Sequence, residues 1–120
     1  MYNKEIRNAK ITGTTLGRED SEVLSLSIHL DYGVAAQSFG SYRIDDIACG
    51  TSLILCILQC LGVRSWEKLG GTYCRVESSN SKVHRIGHIL KDKWIDTTQF
   101  ITDESYRRNL IKSFETEYNG

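Results

Sequence analysis

Hydrophobic and polar residues alternate most cleanly between Val23 and Tyr32, where Leu24, Leu26, Ile28, Leu30 and Tyr32 fall on one side and Ser25, Ser27, His29 and Asp31 on the other. Period-two alternation of this kind predicts a strand with one buried face. The Thr-rich, β-branched stretch Ile6 to Thr15 predicts a strand before it, and Ala36 to Ile44 a weaker one after it, with Gly40 as a bulge or close-approach point. From Thr51 the pattern changes to a continuous apolar run. Thr51 or Ser52 can cap a helix that ends near Leu61, with Gly62 as the residue beyond its C-terminus. After a short turn at Trp66 to Leu69 and the Gly70-Gly71 break, Thr72 to Glu77 and Lys82 to Trp94 predict two further strands. Tyr106, Leu110, Phe114 and Tyr118 recur at four-residue steps and predict a helix over Asp103 to Tyr118.

The element order is therefore β-β-β-α-β-β-α, an α+β fold with an antiparallel sheet of about five strands packed on one apolar helix. No linker, repeat or low-complexity tract divides residues 1–120, so they form a single domain. The helix over Thr51 to Leu61 has no polar stripe. It needs cover on every side, from the C-terminal segment or from a second subunit, and the second choice predicts a homodimer or larger homo-oligomer.

Composition adds mainly exclusions. Fifteen Lys and Arg balance fifteen Asp and Glu, which leaves no global field to attract nucleic acid and argues against general DNA binding. The longest apolar run, Leu53 to Cys60 broken only by Gln59, is far short of a bilayer span, and the N-terminus carries no apolar signal stretch. The expected location is the cytoplasm, with Cys49, Cys56, Cys60 and Cys74 as reduced thiols. Proline is absent where average usage would give about six, a lack that long backbone ladders tolerate.

Four groupings carry candidate chemistry. Cys56-x3-Cys60 followed by His84-x3-His88 imitates a zinc pattern, but cysteines inside an apolar helix read as small buried thiols, so no metal is assigned and no cofactor is expected. Cys74 beside His84 or His88, with Arg75 and Arg85 to depress the thiol, would make a nucleophile, yet nothing around it forms a nucleophile elbow and no catalytic residue is assigned. Arg75, His84, Arg85 and His88, with Lys82, Lys91 and Lys93, form the densest cationic stretch. If the last two strands pair, these side chains gather at one rim and can bind phosphate or an acidic protein surface. In the segment Asp31 to Tyr42, small residues let a ligand approach the backbone, Gln37 can hydrogen-bond, and Phe39 or Tyr42 can stack on a base.

Thr15-Leu16-Gly17-Arg18-Glu19-Asp20, Leu30-Asp31-Tyr32-Gly33, Gln37-Ser38-Phe39-Gly40-Ser41-Tyr42, Gly62-Val63-Arg64-Ser65-Trp66-Glu67-Lys68-Leu69 and Arg85-Ile86-Gly87-His88-Ile89 together resemble a group of small proteins of tailed phages and prophages. The resemblance covers about residues 6 to 96. Where those relatives carry a glycine-richer loop after Asp-Tyr-Gly, this chain has Val34-Ala35-Ala36. The resemblance implies a phage context and, by analogy of size, an accessory protein acting against host immunity. The expected function is a non-enzymatic inhibitor that binds a defence component, in the manner of an anti-CRISPR protein. One alternative is an oligomeric sponge that sequesters a nucleotide immune signal, a cyclic oligonucleotide or an ADP-ribose derivative. Another is a small Cys/His hydrolase acting on such a signal.

Overall fold

Alternating strand sequence and one apolar helix produce a sheet with helices against one of its faces. The computed structural model describes residues 4–18, 24–32, 36–43, 47–79 and 82–119, and for 36–43, 47–49 and 115–119 the backbone alone. In chain order the elements are β1 (Glu5–Gly17), β2 (Ser25–Asp31), β3 (Ala36–Arg43), α1 (Ile47–Leu61), a 3-10 turn (Trp66–Lys68), β4 (Tyr73–Ser78), β5 (Val83–His88), β6 (Trp94–Ile95), α2 (Thr97–Thr102) and α3 (Glu104–Asn119). The fold is α+β.

Among the described residues the sheet has six strands in the order β3-β2-β1-β4-β5-β6, with every pair antiparallel. Two meanders, β1-β2-β3 and β4-β5-β6, are thus joined along the β1–β4 ladder. The alternation in β2 is realised residue by residue. Leu26, Ile28 and Leu30 are at most 1% exposed, whereas Ser25, Ser27 and His29 are half-buried on the other face. Each such fully buried side chain contributes roughly 2 kcal/mol.

In β1 the register shifts between Ile11 and Gly13, so Ala9 and Ile11 face the core before the bulge while Thr14 and Leu16 pair with Ile28 and Leu26 after it. An inserted residue exchanges the faces of a strand. Thr14 Oγ1 consequently reaches the Trp66 indole Nε1–H at 2.9 Å, and Thr15 Oγ1 meets His29 Nε2 at 2.9 Å on the opposite face.

The apolar helix begins one turn earlier than its sequence suggests. Thr51 and Ser52 lie inside α1 and do not cap it, while its end matches expectation: Gly62 takes φ 75°, and the Gly62 and Val63 amides both donate to the Leu58 carbonyl. Leu53, Cys56, Ile57, Cys60 and Leu61 are buried, and α1 packs against β5, β6, α2 and α3. The C-terminal segment therefore supplies much of the cover that the apolar run demands. Leu55 alone among the helix's large apolar side chains with described burial remains 51% exposed.

The second half departs from expectation twice. Lys82 to Trp94 is not one strand: β5 stops at His88, the chain turns through Ile89–Lys93, and β6 returns with Ile86 opposite Ile95 and Gly87 opposite Trp94. A short helix, α2, then precedes α3. Asp96 caps it by accepting the Gln99 amide at Oδ1, and Phe100 drives it into the core at 0% exposure. Asp103 Oδ1 accepts the Tyr106 amide at the start of α3, whose Tyr106, Leu110 and Phe114 face inward as their spacing predicts.

Candidate functional site

The β5–β6 turn determines where the predicted rim residues go. On the outer face of the sheet, Trp94 lies across Gly87. A Cβ there would come within 2.7 Å of the indole Cδ2 and Cε3 and 2.8 Å of the Lys93 carbonyl, so only glycine fits. The Arg85 and Arg75 guanidinium carbons stand 4.3 and 4.9 Å from the Trp94 ring centre, within cation–π range.

Both arginines are engaged internally. Arg75 donates from Nε to the His88 carbonyl at 2.8 Å and from Nη2 to the Lys91 carbonyl at 2.7 Å, which ties β4 to the turn. Arg85 pairs with Glu77 at 3.0 Å, and its Nε is buried without a hydrogen-bond acceptor.

The histidines separate from the arginines. His88 is the register partner of buried Cys74, so it points to the helix side of the sheet, and there its Nδ1 accepts the Leu90 and Lys91 amides, each at 3.0 Å. Two backbone donors on Nδ1 leave the ring proton on Nε2, which faces Gly62. His84 contacts Ser79 Oγ through Nε2 at 3.1 Å. The expected single rim therefore resolves into an outer-face Trp–Arg cluster, a turn-holding His88 and a separate His84, because alternation sets Arg85 and Gly87 against Ile86 and His88 and the β4–β5 register shifts at His84. Gln37, Phe39 and Tyr42 lie on β3, the edge strand, opposite Leu30, Ile28 and Leu26; their side chains fall outside the described residues.

The Cys74 nucleophile loses its chemical basis. Cys74 does sit opposite His88, but it is fully buried, and burial pushes its thiol up to about 12. Arg75 and Arg85, the cations invoked to lower it, project from the other face. Cys56 and Cys60 are likewise buried and pushed up to about 12, with Cys60 Sγ donating to the Ile86 carbonyl at 3.8 Å. Among the described residues no three His, Cys, Asp or Glu side chains come together as a metal-ligand group.

On the helix side the same turn forms one wall of a cleft. A cavity of about 270 Å³ opens between Leu58 at the end of α1, Val63 and Arg64 just beyond it, Lys93 of the turn and Phe114 of α3. A second cavity of about 460 Å³ shares Lys93 and Phe114 and continues past Lys91, Asp92, Trp94 and Leu110. Asp92 accepts the Trp94 indole N–H at 3.2 Å. The cleft thus combines an apolar floor with Arg64, Lys91 and Lys93. Sequence reasoning named the two lysines, but Arg64 entered it only within the stretch Gly62 to Leu69 that carries the resemblance, with no binding role. A further cavity of about 310 Å³ borders Lys10, Asp31, Tyr32 and Tyr73. No family model, curated protein or solved structure matches the chain.

Proposed function

We propose that this chain is a non-enzymatic binding protein that inhibits a bacterial immune system by capturing one of its components, in the context of a phage acting inside a bacterial cell. The observation that carries the proposal is how its reactive groups are used. The described thiols are buried and pushed up to about 12, and His88 Nδ1 is filled by two backbone amides, so the described residues offer no thiolate with a free base beside it. The likeness of residues 6 to 96 to small phage proteins supplies the context. The captured component is a defence protein in the first form of the proposal. In the second it is a nucleotide immune signal, favoured by the cleft that joins three cations to an apolar floor. Leu55, exposed on α1, is a starting point for the homo-oligomer that either form can use.

The test is infection of bacteria carrying one defined defence system, with and without the protein. Expression should restore plaque formation, and native mass spectrometry of the recovered protein should show a bound defence protein or an intact nucleotide. Recovery of cleaved signal, with turnover by purified protein, would refute capture and revive the hydrolase.

A further inference from the structure

We propose that the cleft between the end of α1, the β5–β6 turn and α3 is a binding site for a small phosphate-bearing molecule with a flat apolar moiety. Phosphates would rest on Arg64, Lys91 and Lys93, and the apolar part on Leu58, Val63 and Phe114. The inference rests on the capture proposal and commits it to a ligand class and a place.

Three features favour this occupant. The first is charge: among the described lining residues Arg64, Lys91 and Lys93 stand against the carboxylate of Asp92, which already accepts the Trp94 indole N–H. Phosphate is the small-molecule group that several convergent Lys and Arg side chains recognise best. The second is shape, since the cavity of about 460 Å³ falls within the size range of small-ligand sites and the one of about 270 Å³ adjoins it at Lys93 and Phe114. Inorganic phosphate alone would leave Leu58, Val63 and Phe114 without contacts.

The third feature is preorganisation. Lys93 is fixed at both backbone groups, its carbonyl accepting the His88 amide and its amide donating to the Lys91 carbonyl. The turn is then held from two sides, by Arg75 on the Lys91 and His88 carbonyls and by His88 Nδ1 on the Leu90 and Lys91 amides. A site whose backbone is already ordered loses less entropy on binding. Arg75 and His88 are in this sense positioning residues for Lys91 and Lys93.

Calorimetry with the full chain tests the site, using ADP-ribose, a cyclic dinucleotide and inorganic phosphate as probes. At least one nucleotide probe should bind, and inorganic phosphate should bind at least about ten-fold more weakly. Arg64→Glu should weaken nucleotide binding about ten-fold or more with the melting temperature held, and Val63→Trp, which fills the cleft, should abolish it. Lys91→Glu, on an exposed turn residue, serves if Arg64→Glu does not fold. Absence of binding by both nucleotide probes overturns the inference, as does displacement of a bound nucleotide by nothing but an acidic protein partner. Nucleotide binding that ignores Arg64→Glu, Lys91→Glu and Val63→Trp overturns the site and leaves capture standing. Breakdown of a probe during titration, followed by phosphorus NMR, refutes capture while leaving cleft occupancy intact.

Discussion

Two groups of basic side chains flank the β5–β6 turn and are used in opposite ways. On the outer face of the sheet, Arg75 and Arg85 close on Trp94 and spend their donors on backbone carbonyls and Glu77. On the helix side, Arg64, Lys91 and Lys93 border open space above an apolar floor. Both groups belong to one locally cationic region of a chain with zero net charge. Charge density along the sequence therefore does not identify the binding surface. Strand parity does: Arg75 and Arg85 share the face of Gly87, where an indole is available to cover them, while Arg64 and Lys93 border the cavity beside Leu58 and Phe114.

Alkali gives the largest expected effect, because it acts beneath both groups at once. Cys74 pairs with His88, and Cys60 bonds to Ile86 under the turn. These two thiols and that of Cys56 are each raised by burial from an ordinary value of 9 to about 12, so between those limits the unfolded chain binds fewer protons than the folded one. Stability is unaffected below pH 9 and falls as pH rises above it, by roughly 1.4 kcal/mol per thiol at pH 10. Urea midpoints at pH 8 and pH 10 should differ accordingly. Equal midpoints would mean that the thiols do not underlie the two regions as described.

Gly87→Val comes next and attacks the outer face directly. Its Cβ must displace either the indole or the Lys93 carbonyl, both under 3 Å away, and overpacking of this kind costs about 3 kcal/mol. Because Lys93 also borders the cleft, ligand binding should weaken in the same variant. Intact binding with lost stability would show that the outer cluster and the cleft are independent.

These effects bear on how much of the molecule its sequence discloses. Strand β2 was legible because one face is buried and the other is not, and the end of α1 because Gly62 alone tolerates the positive φ needed there. The split of the last strand was hidden. His84, Ile86, His88 and Leu90 keep alternating into the turn, which itself contains no glycine or proline to mark it, yet Leu90 is 84% exposed. What stops β5 is an imidazole accepting two amides, a contact that no local propensity encodes. Helix α2 was missed because Thr97, Thr98, Ile101 and Thr102 are β-branched, and burial of Phe100 overrides their preference. In the candidate site, residue types were legible but not their partners. Arg75 and His88 carry the right chemistry for a ligand and are consumed by the fold, whereas Arg64, in a short connection, was given no binding role.

The finest test sets Arg75 against Arg64. Arg75→Met keeps most of the side-chain length but removes two hydrogen bonds to carbonyls of the turn and the charge facing Trp94, so it should lower stability by about 2 kcal/mol. Arg64→Met removes an equal charge from an exposed position at the cleft and should change stability by no more than about 0.5 kcal/mol. Denaturant melts of the two variants check the difference without any knowledge of the ligand. Similar losses would mean that Arg64 is also part of the scaffold, and the contrast between Arg75 and Arg64 would fail. A loss confined to Arg75→Met fits a fold that spends its outer-face arginines on holding the turn and leaves the exposed Arg64 at the cleft to meet a partner.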